Sequence, residues 1–319
     1  MRKSLAALGL AIIAAAATAQ DRKLTPVSMH LNWHAQADHG GYFTAKADGI
    51  YEKADLDVTL KQGGPQLNVH QLLAAGQVDF IMGTGVRTLA ARSQDVPIVA
   101  VAAWYQIDPV TMMVHDDSGI RRIEDLKGKP IFLPGIARTN YWPWMKAKFG
   151  LSDEQLRPYD GSFRALALDK TAASQGYLTN DAFVFKQLGM KGRSIALADY
   201  GWAPYSSTLD TLEKTIAERP AIVRAFVKAT AEGYTRYLSS PASAHALIKQ
   251  MNPSQDEELM RQTHEIMKSA PLVERGGVKA GTMTDARWEQ TFKLLSDTGV
   301  LPANFDYRKA YTLQFVNAP

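Results

Sequence analysis

The chain has 319 residues, with 36 Lys and Arg against 32 Asp and Glu, and no cysteine. This near balance, without any basic run, excludes a nucleic-acid binder that works through bulk charge. The missing thiols exclude disulfides, thiolate metal sites and a cysteine-borne lipid anchor, while the length is enough for two lobes with cores of their own.

Residues 1–19 read as a removable export signal. Arg2 and Lys3 open it, an apolar run of 13 residues over 5–17 is broken only by Gly9, and Ala17-Thr18-Ala19 is a small-residue cleavage pattern. The run falls well short of the roughly 20 residues that span a bilayer. The mature chain is expected to begin at Gln20, carry 34 cationic and 32 anionic side chains, and reside in the periplasm without an anchor.

Val27, Met29 and Leu31 alternate with polar residues, the period of a strand with one buried face. A helix is expected over 40–48, stopped by Gly49 where a left-handed residue is wanted. Leu56, Val58 and Leu60 mark the next strand, followed by a helix over 66–75 that Gly76 ends. A strand over 78–82, a helix over 86–93 and a buried strand over 97–103 complete the first series. Strands alternating with helices in this way imply a largely parallel sheet covered on both faces.

A second series begins with a strand over 111–114, then a helical turn near Ile123 and a strand over 131–133. Helices are expected over 140–149 and 182–188, and a strand over 194–197. From Leu209 onward the pattern reads as helical. Pro220 starts a long helix with Ile222, Phe226, Ala229, Gly233 and Tyr237 on one face. A helix over 241–251 follows, then a capping box from Ser254 to Glu257, and finally a helix over 288–298 ended by Gly299. These signals divide the chain into a signal over 1–19, a first lobe of 20–110 with 206–319, and a second lobe of 111–205. Crossings are expected near 106–111 and 204–210.

The polar loops at the strand ends carry the candidate site. Asn32, Trp33, His39 and Tyr42 follow the first strand, where open α/β sheets place their ligands, and Trp33 is suited to stack on a flat ring. The pair Gly40-Gly41 is read as giving a ligand access to exposed N–H groups, with His39 hydrogen-bonding at the helix start. His34 and His39 stand five apart rather than four and have no third partner nearby, so no metal is expected. Gly83, Thr84 and Arg87 form a second cluster, suited to an acidic or carbonyl oxygen or to a tight strand–helix turn. In the second lobe, Arg138, Thr139 and Asn140 occupy the equivalent place, with Thr139 or Asn140 also able to cap a helix. Tyr177, Asn180 and Asp181 complete the set; Asp181 can accept two bonds from an amino-pyrimidine-like edge or cap its helix. Neither a nucleophile motif nor a His-Glu-x-x-His is present, which agrees with a binding role and no catalytic residue.

The segments Leu31-Asn32-Trp33, Gly41-Tyr42-Phe43-Thr44-Ala45-Lys46, Gly49-Ile50-Tyr51-Glu52-Lys53-Ala54, Gly76-Gln77-Val78-Asp79-Phe80, Asp125-Leu126-Lys127-Gly128-Lys129 and Gly176-Tyr177-Leu178-Thr179-Asn180-Asp181 carry a resemblance. It extends over nearly the whole mature chain. The chain resembles the substrate-binding proteins of bacterial ABC importers, in the branch that binds thiamine pyrimidine precursors and is related to nitrate, sulfonate and taurine binders. The resemblance implies an α/β, two-lobed periplasmic binding protein fold of type II, each lobe a mixed, mostly parallel sheet flanked by helices, with two crossover segments. It implies Trp33 stacked on a pyrimidine and Asp181 bonded to its amino and ring nitrogens, although many members carry Glu at that place. It also implies a monomer that delivers a small heteroaromatic ligand to an inner-membrane permease, with no cofactor.

Fungal thiamine pyrimidine synthases share the resemblance, and consume their own pyridoxal phosphate and a histidine, with iron. Where they carry the required lysine and histidine, this chain has Gly83 and Arg87, and their cysteine-rich segment has no counterpart. The expectation is therefore a binder and not an enzyme. A sulfonate or nitrate held by Arg87 or Arg138 is the alternative ligand class.

Overall fold

The computed structural model describes residues 23–64, 67–159, 161–270 and 272–316, so the expected signal over 1–19 and the start at Gln20 lie outside the described residues. The first alternating segment is strand β1 (Thr25–His30). After a loop come α1 (Gly40–Ala47) and the short α2 (Ile50–Lys53), separated by Gly49 at φ 68°, the left-handed stop its position predicts. Strand β2 (Leu56–Lys61) buries Leu56, Val58 and Leu60 and exposes Asp57, Thr59 and Lys61. Then follow α3 (Val69–Ala74), β3 (Phe80–Gly83), α4 (Gly85–Arg92) and β4 (Ile98–Tyr105).

The second series consists of β5 (Val110–His115), β6 (Ile131–Phe132), α5 (Trp142–Phe149), β7 (Leu156–Arg157), α6 (Arg164–Leu168), β8 (Ala173–Tyr177), α7 (Leu178–Gln187) and β9 (Gly192–Ala196). The chain then returns through β10 (Ser206–Leu212) and ends in α8 (Glu213–Glu218), α9 (Pro220–Ser239), α10 (Ala242–Met251), α11 (Glu257–Ser269) and α12 (Asp285–Asp297).

Two five-stranded mixed sheets result, ordered β2-β1-β3-β10-β4 and β7-β6-β8-β5-β9. In the first, β1 runs parallel to β2 and β3, whereas β10 is antiparallel to β3 and β4. In the second, β6 is parallel to β7 and β8, and β5 is antiparallel to β8 and β9. Strand β4 lies at a sheet edge yet is buried throughout, because Tyr311 bridges to Ala100 and Gly281 to Ala103. This cover occupies part of an edge that would otherwise offer its backbone groups to a second chain.

Strand β10 corrects the helical reading of the chain from Leu209. Its sequence, SSTLDTL, lacks an apolar alternation, yet Thr208, Leu209, Asp210 and Thr211 are all fully buried. The strand forms because its backbone completes ladders on both sides, a requirement set by the sheet and not by local propensity. A smaller correction concerns α11. Asp256, not Ser254, accepts the cap bond, from Leu259 N at 2.9 Å.

The first lobe's core is organised by α9, where Phe226 stacks on Phe80 and Tyr51. Helix α1 lies so close to α9 that a Cβ on Gly40 would come within 2.2 Å of the Tyr237 ring, and one on Gly41 within 2.1 Å of Tyr234. These glycines therefore permit helix packing, and the expected opening for a ligand at Gly40-Gly41 is not there.

Two segments join the sheets, one between β4 and β5 and one between β9 and β10. They are tied to each other, since Trp202 Nε1 donates to Asp108 Oδ2 at 2.9 Å. Arg287 of α12 adds a clamp: its guanidinium donates to the carbonyls of Gln106, Ala203 and Pro204, and lies 4.2 Å over the Tyr205 ring. A guanidinium is suited to this because its five donors are spread in one plane.

Candidate functional site

The carboxyl ends of β1 and β3 in one sheet, and of β6 and β8 in the other, lead into the loops that carry the expected site. Trp33 is 43% exposed just past β1, its ring edge-on to His34 at 5.6 Å. The loop is held from below by a bond from Gly63 N to Trp33 O at 2.8 Å. Leu67, between β2 and α3, is also exposed, as is Ile136, at 52%, just past β6. Exposed apolar groups at three strand ends form surfaces on which a flat, partly apolar molecule gains from being covered.

Asn32 is half-buried beside Trp33. Thr84 caps α4, its hydroxyl accepting from Arg87 N at 3.4 Å, and Gly83 is buried against the Asp210 carboxylate. Arg87 is half-buried and donates to Asn68 Oδ1 at 3.2 Å. Across the molecule, Arg138 and Thr139 are exposed, with Thr139 Oγ1 donating to Ile136 O at 3.3 Å. Asn140 Oδ1 is buried with no hydrogen-bond partner among the described residues. Neither Thr139 nor Asn140 caps α5; Tyr141 stands at that position.

Three expected site residues point elsewhere. Tyr42 is fully buried, its hydroxyl accepting from Trp104 Nε1 at 2.6 Å, because it belongs to the face of α1 turned toward the core. His39 is buried and makes no side-chain cap bond; burial drives its pKa down to about 3, so the imidazole is neutral. Asp181 turns into the second lobe. Its Oδ1 accepts from Tyr177 N at 2.7 Å, and its Oδ2 from Thr111 and Ser194 hydroxyls at 2.6 Å each. Burial raises its pKa while these bonds pull it back, and the carboxylate is committed to holding β5, β8, α7 and β9 together.

The same region joins the lobes. Thr179 Oγ1 donates to Asp38 Oδ1 at 2.9 Å, and Tyr105 OH donates to the same oxygen at 3.0 Å. Thr263 of α11 meets Thr179 O at 3.2 Å and Asn180 Oδ1 at 3.3 Å, while half-buried Tyr177 packs against the first core. Burial raises the Asp38 pKa. The loop that carries Trp33 is thus tied directly to the start of α7.

A buried polar group under Arg87 escaped the sequence reading. Asp210 is fully buried on β10, with Oδ2 accepting from Thr88 Oγ1 at 2.7 Å and lying 3.8 Å from His70 Nε2. Its Oδ1 and both His70 nitrogens lack hydrogen-bond partners among the described residues. Ser207 sits nearby on the strand at φ 56°, a left-handed conformation uncommon for a non-glycine, with its buried hydroxyl unpartnered among the described residues. No sequence signal marks this cluster, because Ser207 and Asp210 lie more than 100 residues from His70 and Thr88. A separate groove of about 820 Å³, lined by His245, Lys249, Glu257, Glu258 and Arg261 among others, lies on α10 and α11, away from these strand ends.

The sequence matches the family described as NMT1/THI5 like over residues 36–244. Among curated relatives, the riboflavin-binding protein RibY of Chloroflexus aurantiacus is 25% identical over 307 residues, covering 92% of this chain and 86% of that one. A formylaminopyrimidine-binding protein of Halalkalibacterium halodurans is 25% identical over 248 residues, covering 75% and 74%. A 4-amino-5-hydroxymethyl-2-methylpyrimidine phosphate synthase of Legionella pneumophila is 20% identical over 311 residues, covering 91% and 92%. Among solved structures, the periplasmic aliphatic sulphonate binding protein SsuA of Escherichia coli aligns with a TM-score of 0.70 at 12% identity, over 92% of this chain and 94% of that one. Its likeness establishes the fold, that of the periplasmic binding proteins. With the family match covering more than half of the chain, the chain belongs to the NMT1/THI5-like family.

Proposed function

We propose that this protein is the solute-binding component of an ABC importer. It takes a small heteroaromatic molecule, of the thiamine pyrimidine precursor kind, between a first lobe of 20–110 with 206–319 and a second of 111–205. It then passes that molecule to a permease, working as a periplasmic monomer. The observation that carries this reading is Trp33, a large aromatic left exposed at the carboxyl end of a central strand. The riboflavin- and formylaminopyrimidine-binding relatives support a flat ligand. Among the described residues no helix is long and apolar enough to cross a membrane.

Native mass spectrometry of freshly purified protein, followed by a thermal-shift panel of pyrimidines, flavins, sulfonates and nitrate, tests the proposal. A specific ligand at 100 times its Kd adds about 2.7 kcal/mol. Small-angle scattering with that ligand should show a smaller radius of gyration, because a ligand shifts the open–closed equilibrium by its preference for the closed form. An unchanged radius with ligand bound would sink the closing mechanism. The exposed Arg138 and half-buried Arg87 favour a second reading, a sulfonate or nitrate, whose affinity would fall steeply with added salt. The synthase relative calls for one further check: a ligand recovered chemically unchanged argues against catalysis, and a released product would establish it.

A further inference from the structure

The end of β8 and the start of α7 send a short tongue of the second lobe, residues 177–180, into the packing of the first. Tyr177 and Leu178 pack against the core that α9 organises. Thr179 is buried between two first-lobe elements. Its hydroxyl donates to Asp38 Oδ1 at 2.9 Å, and its carbonyl accepts from Thr263 Oγ1 at 3.2 Å. Both partners are fixed from behind: Asp38 also accepts from Tyr105 OH and from Gln36 Nε2, each at 3.0 Å, and α11, which carries Thr263, buries Met260 and Met267 in the same core. The tongue is equally rigid on its own side. Tyr177 N donates to Asp181 Oδ1 at 2.7 Å, Leu178 N donates to Pro109 O at 2.8 Å, and a Cβ on Gly176 would lie 2.4 Å from Asp181 and from Met113.

We propose that this tongue is a seated pivot on which the second lobe turns, with Asp38 and Thr179 as its positioning residues. This rests on the two-lobe reading above and adds how the lobes move. Drawing the tongue out would leave the buried Asp38 carboxylate short of a donor and the Thr263 hydroxyl without its acceptors, and would wet the apolar faces of Tyr177 and Leu178. The strand ends that carry Trp33, Leu67 and Ile136 leave those side chains exposed, so parting them carries no such penalty. Rotation about the tongue therefore costs less than separation of the lobes. The position fits a hinge as well. Pro109, which accepts from Leu178 N, lies in one crossing segment, and the Trp202–Asp108 bond ties the other segment beside it. The loop that runs from Trp33 ends at Asp38, so the exposed aromatic keeps its place relative to α7 while the cleft opens.

The chain has no cysteine, so pairs of introduced cysteines carry spin labels at chosen places in the whole protein, and dipolar spectroscopy reads the distances. One pair, Gln187→Cys with Lys268→Cys, uses exposed positions on α7 and α11 and reports the seat. The other, Thr59→Cys with Arg157→Cys, sits on β2 and β7, the sheet edges farthest from the crossing strands, and reports the cleft. The seat pair should give one narrow distance, with and without riboflavin, a formylaminopyrimidine, ethanesulfonate or nitrate. Thr179→Val should add a second, longer distance at the seat pair, its fraction rising at least about tenfold, and Thr179→Ser should restore the single distance. Thr263→Val carries the same expectation should Thr179→Val fail to fold, and the native seat distance decides alone should both fail. A seat pair that stays single in the valine variants, or that already shows several distances in the native protein, overturns the proposal. If the seat pair behaves as expected but none of the four compounds shifts the cleft pair, the pivot stands and the ligand-driven closing of the lobes fails.

Discussion

Replacing Trp33 with alanine separates a ligand platform from an ordinary surface tryptophan. A tryptophan side chain offers up to about 250 Å², and the 43% that Trp33 leaves exposed amounts to about 100 Å². A ring stacked on one face covers about half of that, which at about 25 cal/mol per Å² contributes about 1.3 kcal/mol. Favourable ring geometry adds about 1 kcal/mol, so Trp33→Ala should cost about 2 kcal/mol, or roughly 30-fold in Kd. Folding stability should change by less than about 1 kcal/mol, because the residue lies outside both cores. Fluorescence suits the measurement. The chain has six tryptophans, and the other five, Trp104, Trp142, Trp144, Trp202 and Trp288, are buried. Emission that acrylamide quenches therefore reports Trp33, and ligand should protect it. A variant that folds normally and binds within about twofold of the native protein would refute stacking at Trp33.

Asp181→Asn should cost about 1–3 kcal/mol in chemical denaturation while leaving ligand affinity nearly unchanged, because its three donors all lie within the second lobe. A loss of affinity without loss of stability would return the carboxylate to the cleft. Gly41→Ala drives a methyl into the Tyr234 ring and should destabilise by at least about 1–3 kcal/mol; a neutral melt would contradict the packing of α1 on α9. Arg287→Ala leaves the carbonyls of Gln106, Ala203 and Pro204 without its donors, and should lower stability by about 3 kcal/mol and broaden the scattering-derived size distribution; an unchanged distribution would limit Arg287 to local packing. His39 and His70, both lowered from 6.5 to about 3, are neutral when folded, so the stability they permit at neutral pH is lost progressively as pH falls from about 6.5 toward 3. Asp210, raised from 3.8 to about 6, works the other way between those values and offsets one histidine. Asp38 and Asp181, also raised by burial, act in the same sense as Asp210, so the histidine contribution is read by denaturation of His39→Gln and His70→Gln beside the native protein: the native protein should lose more stability than either variant between about pH 7.5 and 4.5, and equal losses would contradict the burial of the imidazoles.

Most of the first sheet was legible because its strands carry their instructions locally. The Leu56, Val58 and Leu60 alternation and the Gly49 stop are properties of single segments, and each forms the element its pattern predicts. Trp33 was legible as well: an aromatic directly after such a strand is placed at the sheet's carboxyl edge by chain direction alone. The failures share a different cause. Strand β10 is polar in sequence and becomes a central strand because β3 and β4 need a partner between them. Gly40 and Gly41 face tyrosines nearly 200 residues away, and Asp181 answers to donors on β5 and β9. The approach of Thr88 and His70 to Asp210 likewise exists only after β10 has entered the sheet. Local period and turn chemistry thus determine where strands, helices and the exposed aromatic fall along the chain. Which polar groups are buried together is decided by tertiary packing, because burial and pairing depend on neighbours that no single segment contains.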